Sequence, residues 1–266
     1  MAYSSKKTSQ TRGYQPPVNE QERFLVKRAK EMALAAFYGR VRTTGFLSER
    51  EQQLVQEGVN QAQGNVAFYG GYPQAQRKMA LFSSNENMGT EQYVIALMEI
   101  KPQAGHHKAL THRDYMGSVL GLGIERDCVG DFLMQEQGVL CYVQEQIVPL
   151  LEQELIQVGR VSVTCRKIDQ AETPALQLQM QEKTAFVASL RVDAVLTTLL
   201  HISRAKAASL IQAGQVSIND ILVLKTHETL FEQDIIRVRG YGKFCFKEIG
   251  KQSKKGRTFI TYCQFM

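Results

Sequence analysis

No stretch of this sequence comes near eighteen consecutive apolar residues, so it offers no candidate membrane-spanning helix. The opening MAYSSKKTSQTRGYQPP has lysines but no apolar core, so no secretory leader is expected, and residues 1–17 read as a flexible arm ending at Pro16-Pro17. Cysteine is scarce and odd in number. Cys128, Cys141, Cys165, Cys245 and Cys263 form no CxxC pair and are too far apart for a zinc knuckle, which suits reduced thiols in a cytoplasmic protein. Neither GxGxxG nor GxxxxGK[ST] occurs, so Gly70-Gly71 and Gly121-Leu122-Gly123 read as sites of close packing rather than phosphate loops. No internal repeat is present.

What is there is charge, unevenly spread over 266 residues of ordinary globular composition, enough for two or three domains. Residues 186–266 hold 12 Lys+Arg against 6 Asp+Glu, a balance of +6, and residues 1–90 hold 12 against 7, a balance of +5. Residues 91–185 hold 8 against 13, a balance of −5. A chain basic at both ends favours a polyanionic partner gripped there.

Hydrophobic spacing divides the chain further. Residues 18–88 read as a helical N-terminal region, with Asn19 capping one helix and Ser48 with Glu51 forming a capping box for the next. QAQRKMALF, after the turn at Tyr69-Gly70-Gly71-Tyr72-Pro73, reads as helix or strand. Residues 89–170 give the order β-α-β-β-α-β of ferredoxin-like and RNA-recognition (RRM-like) domains. Thr111 caps its first helix, and in the second Pro149 opens and Gly159 closes. RNA-recognition domains stack bases on sheet aromatics. Here only Tyr93 and Tyr142 are candidates for such stacking, and the segment is acidic, so a scaffold or protein-contact role is expected of it. Residues 171–188 are polar and read as a linker to a C-terminal domain at 189–266. The fold class is therefore α+β.

In that last domain Val192, Val195, Leu196, Leu199 and Leu200 recur at helical spacing. Ser203 caps a second helix with Ala207, Leu210 and Ile211 buried, and Gly214 ends it. Only His201-Ile202 separates the two, a helix-turn-helix geometry. Short strands QVSIND, ILVLK and QDIIRVRG follow. Alternation in IIRVRG puts Arg237 and Arg239 on one side and Ile236 and Val238 on the other. Arg204 and Lys206 occupy the first turn of the second helix, where unsatisfied N–H groups suit a phosphate. Arg191, Arg204, Lys206, Lys225, Arg237, Arg239 and Lys243 are the candidate RNA-binding residues, to which the resemblance given below adds Ser203. Tyr72, Arg77 and Lys78 are candidates for a second RNA contact.

The phrases R-V-D-x-V-L, I-S-R-x-x-A-x-x-L-I-x-x-G-x-V-x-I-N and D-x-I-x-V-R-G-x-G-K, from Arg191 to Lys243, resemble the RNA-binding domain of small-subunit ribosomal protein S-four. Two positions depart from that pattern, Asp220 and Gln233, where the family often has glycine. YGGYPQAQRKMALF and HRDYMGSVLGLGIERDCVGDF are similar to signature stretches of the YlmH family, so the likeness spans nearly everything after Pro17. The resemblance implies a helical N-terminal region, an RRM-like middle domain and an S-four-like α/β domain. It implies contact of Ser203, Arg204 and Lys206 with structured RNA. It further implies cytoplasmic binding to rRNA and tRNA, and rescue of large ribosomal subunits blocked by peptidyl-tRNA in ribosome quality control.

Catalysis has little to stand on. His112-Arg113-Asp114 are neighbours on a helix and point in different directions, and no nucleophile is placed beside them. His106, His107 and His112 are loosely spaced for a metal, so neither metal nor cofactor is expected. A pseudouridine-synthase-like RNA-modifying enzyme is the first alternative, but Arg191-Val192-Asp193 only partly echoes the G-R-L-D phrase such an enzyme needs. A cell-division-linked adaptor built on the acidic middle is the second. The expectation is a monomeric, non-enzymatic RNA-binding protein.

Overall fold

The computed structural model describes residues 11–85, 89–103, 110–169 and 180–265. The chain divides into two compact units, Pro17–Leu178 and a second that joins Met1–Pro16 to Gln179–Met266. The architecture is mixed α and β, as the sequence suggests.

The first unit opens with α1 (Glu20–Phe37), capped by the Asn19 side chain, which accepts from the Glu22 backbone N–H. Strand β1 (Arg42–Leu47), helix α2 (Glu49–Ala62) and strands β2 (Val66–Tyr69) and β3 (Lys78–Phe82) follow. The Ser48–Glu51 capping box is present at α2. Arg50 is buried and donates through Nε and Nη2 to the two oxygens of Glu22, at 3.2 and 2.7 Å, tying α2 to α1. Residues 18–88 are therefore not simply helical: β1, β3 and β2 form an antiparallel sheet in that order. Sequence periodicity misses it because β3 is buried on both faces. Ala80 and Phe82 meet the α1–α2 core, while Met79 and Leu81 face the middle sheet, and the resulting apolar run has no strand alternation.

The middle sheet comprises β4 (Ile95–Pro102), β5 (Val129–Gln135), β6 (Gly138–Gln144), β7 (Gln157–Val158) and β8 (Val161–Ile168), in the order β5-β6-β4-β8-β7. Helix α3 (His112–Gly121) follows β4 and α4 (Val148–Glu154) follows β6, which is the expected β-α-β-β-α-β connectivity. Helix α4 stops five residues before Gly159. That glycine, at φ +62, instead turns the β7–β8 hairpin, whose pairing ends the helical pattern early.

One face of this sheet packs on α3 and α4 through Met98, Ile100, Tyr115, Val119 and Leu151. The other face is closed by the N-terminal segment. The Tyr72 ring stacks on Tyr142 with centroids 5.2 Å apart and planes at 17°, and Tyr142 is 1% exposed. The Asp131 carboxylate holds the closing loop, accepting from the Tyr72 hydroxyl at 2.8 Å and from the backbone N–H of Gln76 and Arg77 at 2.7 and 3.1 Å.

In the second unit, β9 (Met180–Val187) leads to α5 (Val192–Leu200) and α6 (Arg204–Gln212). Strands β10 (Val216–Ile218), β11 (Ile221–Leu222), β12 (Asp234–Val238), β13 (Gly242–Gln252) and β14 (Thr258–Phe265) complete an antiparallel sheet ordered β11-β10-β12-β13-β14-β9. Residues 180–187, expected within a linker, are thus an edge strand. They read as polar because only Val187 is fully buried. The arm expected to be flexible is also anchored where it is described. Arg12 donates to both oxygens of Asp234 (Nε at 3.0 and 3.2 Å, Nη2 at 3.0 Å), to Glu228 at 2.9 Å and to the Thr229 carbonyl at 2.7 Å. Its guanidinium also lies over the Phe231 ring. Residues 1–10 of the expected arm and 171–179 of the expected linker lie outside the described residues.

Two consequences for stability follow. Gly71 sits at φ +98, and a β-carbon there would overlap the Tyr142 ring. Gly71→Ala combines backbone strain with overpacking and is expected to destabilise the first unit by about 3 kcal/mol, read from its urea unfolding transition. Asp234 is 1% exposed, so Arg12→Ala removes the cation from a buried carboxylate. The expected loss in the second unit is about 3 kcal/mol, and a melt unchanged in Tm would refute the anchoring role.

Candidate nucleic-acid interface

The helix pair owes its geometry to a turn and two caps. His201 ends α5 in the left-handed region at φ 52, which reverses the chain in the space of two residues. Ser203 then caps α6, its Oγ accepting from the Lys206 backbone N–H at 3.2 Å. Val195, Leu196 and Leu199 of α5 and Ala207, Leu210 and Ile211 of α6 bury against Val216, Ile236, Val238 and Phe244 of the sheet. The polar sides of both helices are left at the surface.

Asp193 organises that surface. It is 4% exposed, and its carboxylate accepts from Arg191 at 2.9 and 3.1 Å, from Arg204 Nε at 3.1 Å and from the Ala194 backbone N–H at 2.8 Å. Burial alone would push this carboxyl up, but the hydrogen bonds from Arg191 and Arg204 outweigh it and hold the group below the usual carboxylate range. Two guanidiniums from separate helices therefore share one anion and keep further N–H groups for an outside acceptor. Lys206 lies exposed in the same turn as Arg204. Lys225 is exposed on a loop joined to the start of α5, where Thr226 and Glu228 carbonyls accept from the Asp193 and Val192 N–H groups.

The remaining candidates form a second group. Arg237 on β12 stands opposite Lys243 on β13 and Ser217 on β10, on the sheet face turned away from Ile236 and Val238, and so away from α5 and α6. Arg237 pairs with Asp220 at 3.3 Å, and the Lys243 ammonium lies 4.8 Å from the centre of the Phe265 ring. Arg239 is exposed just beyond β12, its N–H bonded to the Gln215 carbonyl. The eight candidates are thus split between the helix pair and the far face of the sheet. The pairing of Asp193 with Arg191 follows from their spacing of two residues at the head of a helix, but the sharing of the same carboxylate with Arg204 gives no signal in the sequence. Asp220 and Gln233, where the resembled family often has glycine, sit at φ 62 and 69, the conformation that favours glycine.

Tyr72 and Arg77, expected as a second RNA contact, are engaged inside the first unit instead. The Tyr72 hydroxyl is pushed far above its ordinary range by burial and by the Asp131 charge. Arg77 donates to the carbonyls of Val129, Phe46 and Arg126. Lys78 is half-buried at the start of β3. Tyr93 and Tyr142 are buried as well, so the sheet face on which RNA-recognition domains stack bases is closed here.

Asp114 serves a capping box with Thr111, and the His112 ring meets the Phe132 ring edge-on at 5.5 Å, so the two are not arranged as a catalytic pair. Among the described residues, no three His, Cys, Asp or Glu side chains gather as metal ligands. His106 and His107 lie outside the described residues. No described helix is long and apolar enough to cross a membrane.

Residues 89–172 match the family model described as "Putative RNA-binding domain in YlmH". The chain is 29% identical over 226 residues to "Ribosome-associated protein quality control protein P2" of Bacillus subtilis (strain 168), covering 84% of this chain and 87% of that protein. It is also similar to the solved structure "Cell division protein ylmH from Streptococcus pneumoniae", with 20% identity, 60% of this chain and 98% of that one covered, and a TM-score of 0.49. The matched model thus covers the middle domain, and the likeness to the Bacillus protein runs over most of the chain.

Proposed function

We propose that this chain is a non-enzymatic RNA-binding protein that works on the ribosome. The reading rests on one observation: Asp193 fixes two guanidiniums at an exposed helix pair, with Lys206 beside them. Guanidiniums held in a set geometry suit phosphate oxygens, which they can engage through paired N–H donors. The uncapped N–H groups of the first turn of α6 add to the attraction. Arg191, Ser203, Arg204, Lys206 and Lys225 line the principal RNA contact, and Arg237, Arg239 and Lys243 offer phosphate contacts on the opposite face of the same unit.

The Bacillus relative's name supports the ribosome as the place of action. In this reading the protein acts as a cytoplasmic monomer, contacts rRNA and tRNA, and binds large subunits blocked with peptidyl-tRNA in ribosome quality control. It works by binding alone and needs no cofactor.

Arg204→Gln with Lys206→Gln in the full chain tests the assigned surface. Binding to purified large subunits, measured across a salt series, should weaken. The slope of log affinity against log salt should shrink by roughly 0.7–0.9 for each phosphate that is no longer engaged. Wild-type affinity and slope in the double variant would refute the assignment.

A further inference from the structure

Helix α1 has a second face that its own core does not use. Val26, Ala29, Ala33 and Ala36 are buried on one side. On another side Arg23, Lys27, Lys30, Leu34 and Phe37 recur at spacings of four, three, four and three, a single line along the helix, and all five are exposed. Phe37 is 77% exposed and Tyr38 79%, and their rings meet edge-to-face with centroids 5.6 Å apart. Among the described residues, none of the three cations pairs with a carboxylate. Glu22 of the same helix is taken by Arg50. From Glu20 to Arg42 there are 6 Lys+Arg against 3 Asp+Glu.

We propose that this line is a second RNA-contacting surface, with a phosphodiester strand on Arg23, Lys27 and Lys30 and an unpaired base stacked on the Phe37–Tyr38 pair. Two rings this exposed and side by side mark a partner rather than a core. The partner must be anionic, because the cations precede the rings on the same line. A base supplies a flat face for an aromatic ring whatever its identity, and its backbone supplies the charge. A lipid surface would instead call for an apolar stripe along the whole helix with cations flanking it. Here the first turns of the line are wholly cationic. The site lies in the first unit, outside residues 89–172, and shares no residue with the helix pair. It rests on the RNA-binding reading, and it takes the place of the Tyr72–Arg77 contact that the fold engages internally.

The test uses the full chain and a fluorescein-labelled dodecauridine, followed by fluorescence anisotropy over a salt series. Phe37→Ser with Tyr38→Ser should weaken binding about 10-fold with the salt slope unchanged, since a base stack is removed while every phosphate stays engaged. Arg23→Gln, Lys27→Gln and Lys30→Gln together should shrink the slope by roughly 2. Both variants change exposed side chains and should melt as the wild type does, and should one fail to fold, the other still decides. If Arg204→Gln with Lys206→Gln weakens binding to large subunits and neither α1 variant weakens binding to dodecauridine, this second surface is overturned while the RNA-binding reading stands. If the helix-pair variant also keeps wild-type affinity for large subunits, the RNA-binding reading itself falls. If the α1 variants keep RNA affinity but lose binding to phosphatidylserine vesicles, the surface is a lipid one and the proposal is overturned.

Discussion

A carboxylate taken out of water must be given donors, and much of this structure is arranged around that requirement. Half-buried Asp131 and buried Asp193 and Asp234 each gather donors from another segment of the chain. Asp131 draws in the loop that carries Tyr72, Gln76 and Arg77. Asp193 joins the heads of α5 and α6. Asp234 receives Arg12 from 222 residues away, the Asn219 amide and the Phe231 N–H. Removing a donor from Asp193 or Asp234 leaves a buried anion short of partners, a larger penalty than the loss of an ordinary surface pair.

The Asp131 contact decides how one face of the middle sheet is covered. By fastening the Tyr72 loop onto β5, it supports the stack of Tyr72 on Tyr142 and covers the open face of the middle sheet. Beyond the covered area Glu99 pairs with Lys101 and Arg166. In this domain, with the strand order of an RNA-recognition fold, the aromatic rings of Tyr93 and Tyr142 are thus buried. In the reading proposed above, contact with a polyanion falls instead to the basic ends of the chain, to the helix pair and the outer line of α1.

The sequence exposed the parts of this design that depend on local pattern. The caps at Asn19, Ser48, Thr111 and Ser203, the β-α-β-β-α-β order and the helix pair from Val192 to Gln212 are all signalled within a few residues. It hid the parts that depend on tertiary partners. Strand β3 is apolar on both faces because it lies between two cores, and β9 is polar because it lies at an edge, so neither shows the alternation of a half-buried strand. At the candidate site the cations were legible as residue types, but their grouping was not. Strand alternation separates Arg237 from the core residues beside it, yet only the packing of α5 and α6 shows that this turns Arg237 away from Arg204. Arg12 gave no local signal at all, since its partners are more than two hundred residues distant.

A carboxylate at the centre of a cationic site looks self-defeating, because Asp193 cancels one of the charges that attract a phosphate. Long-range attraction is the less selective part of RNA binding. It scales with charge, weakens with salt and favours any polyanion. Two arginines without a shared anion would repel one another and sample many rotamers, and a ligand would have to freeze them on arrival. With Asp193 between them, part of that ordering is already made in the fold, and in the proposed reading the outward N–H groups meet RNA at a set spacing. The exchange lowers non-specific attraction and raises preference for phosphates displayed at a matching distance. Folded RNA offers such fixed phosphates and a flexible strand does not, so the helix pair is the element of this protein best built to recognise shape rather than charge alone.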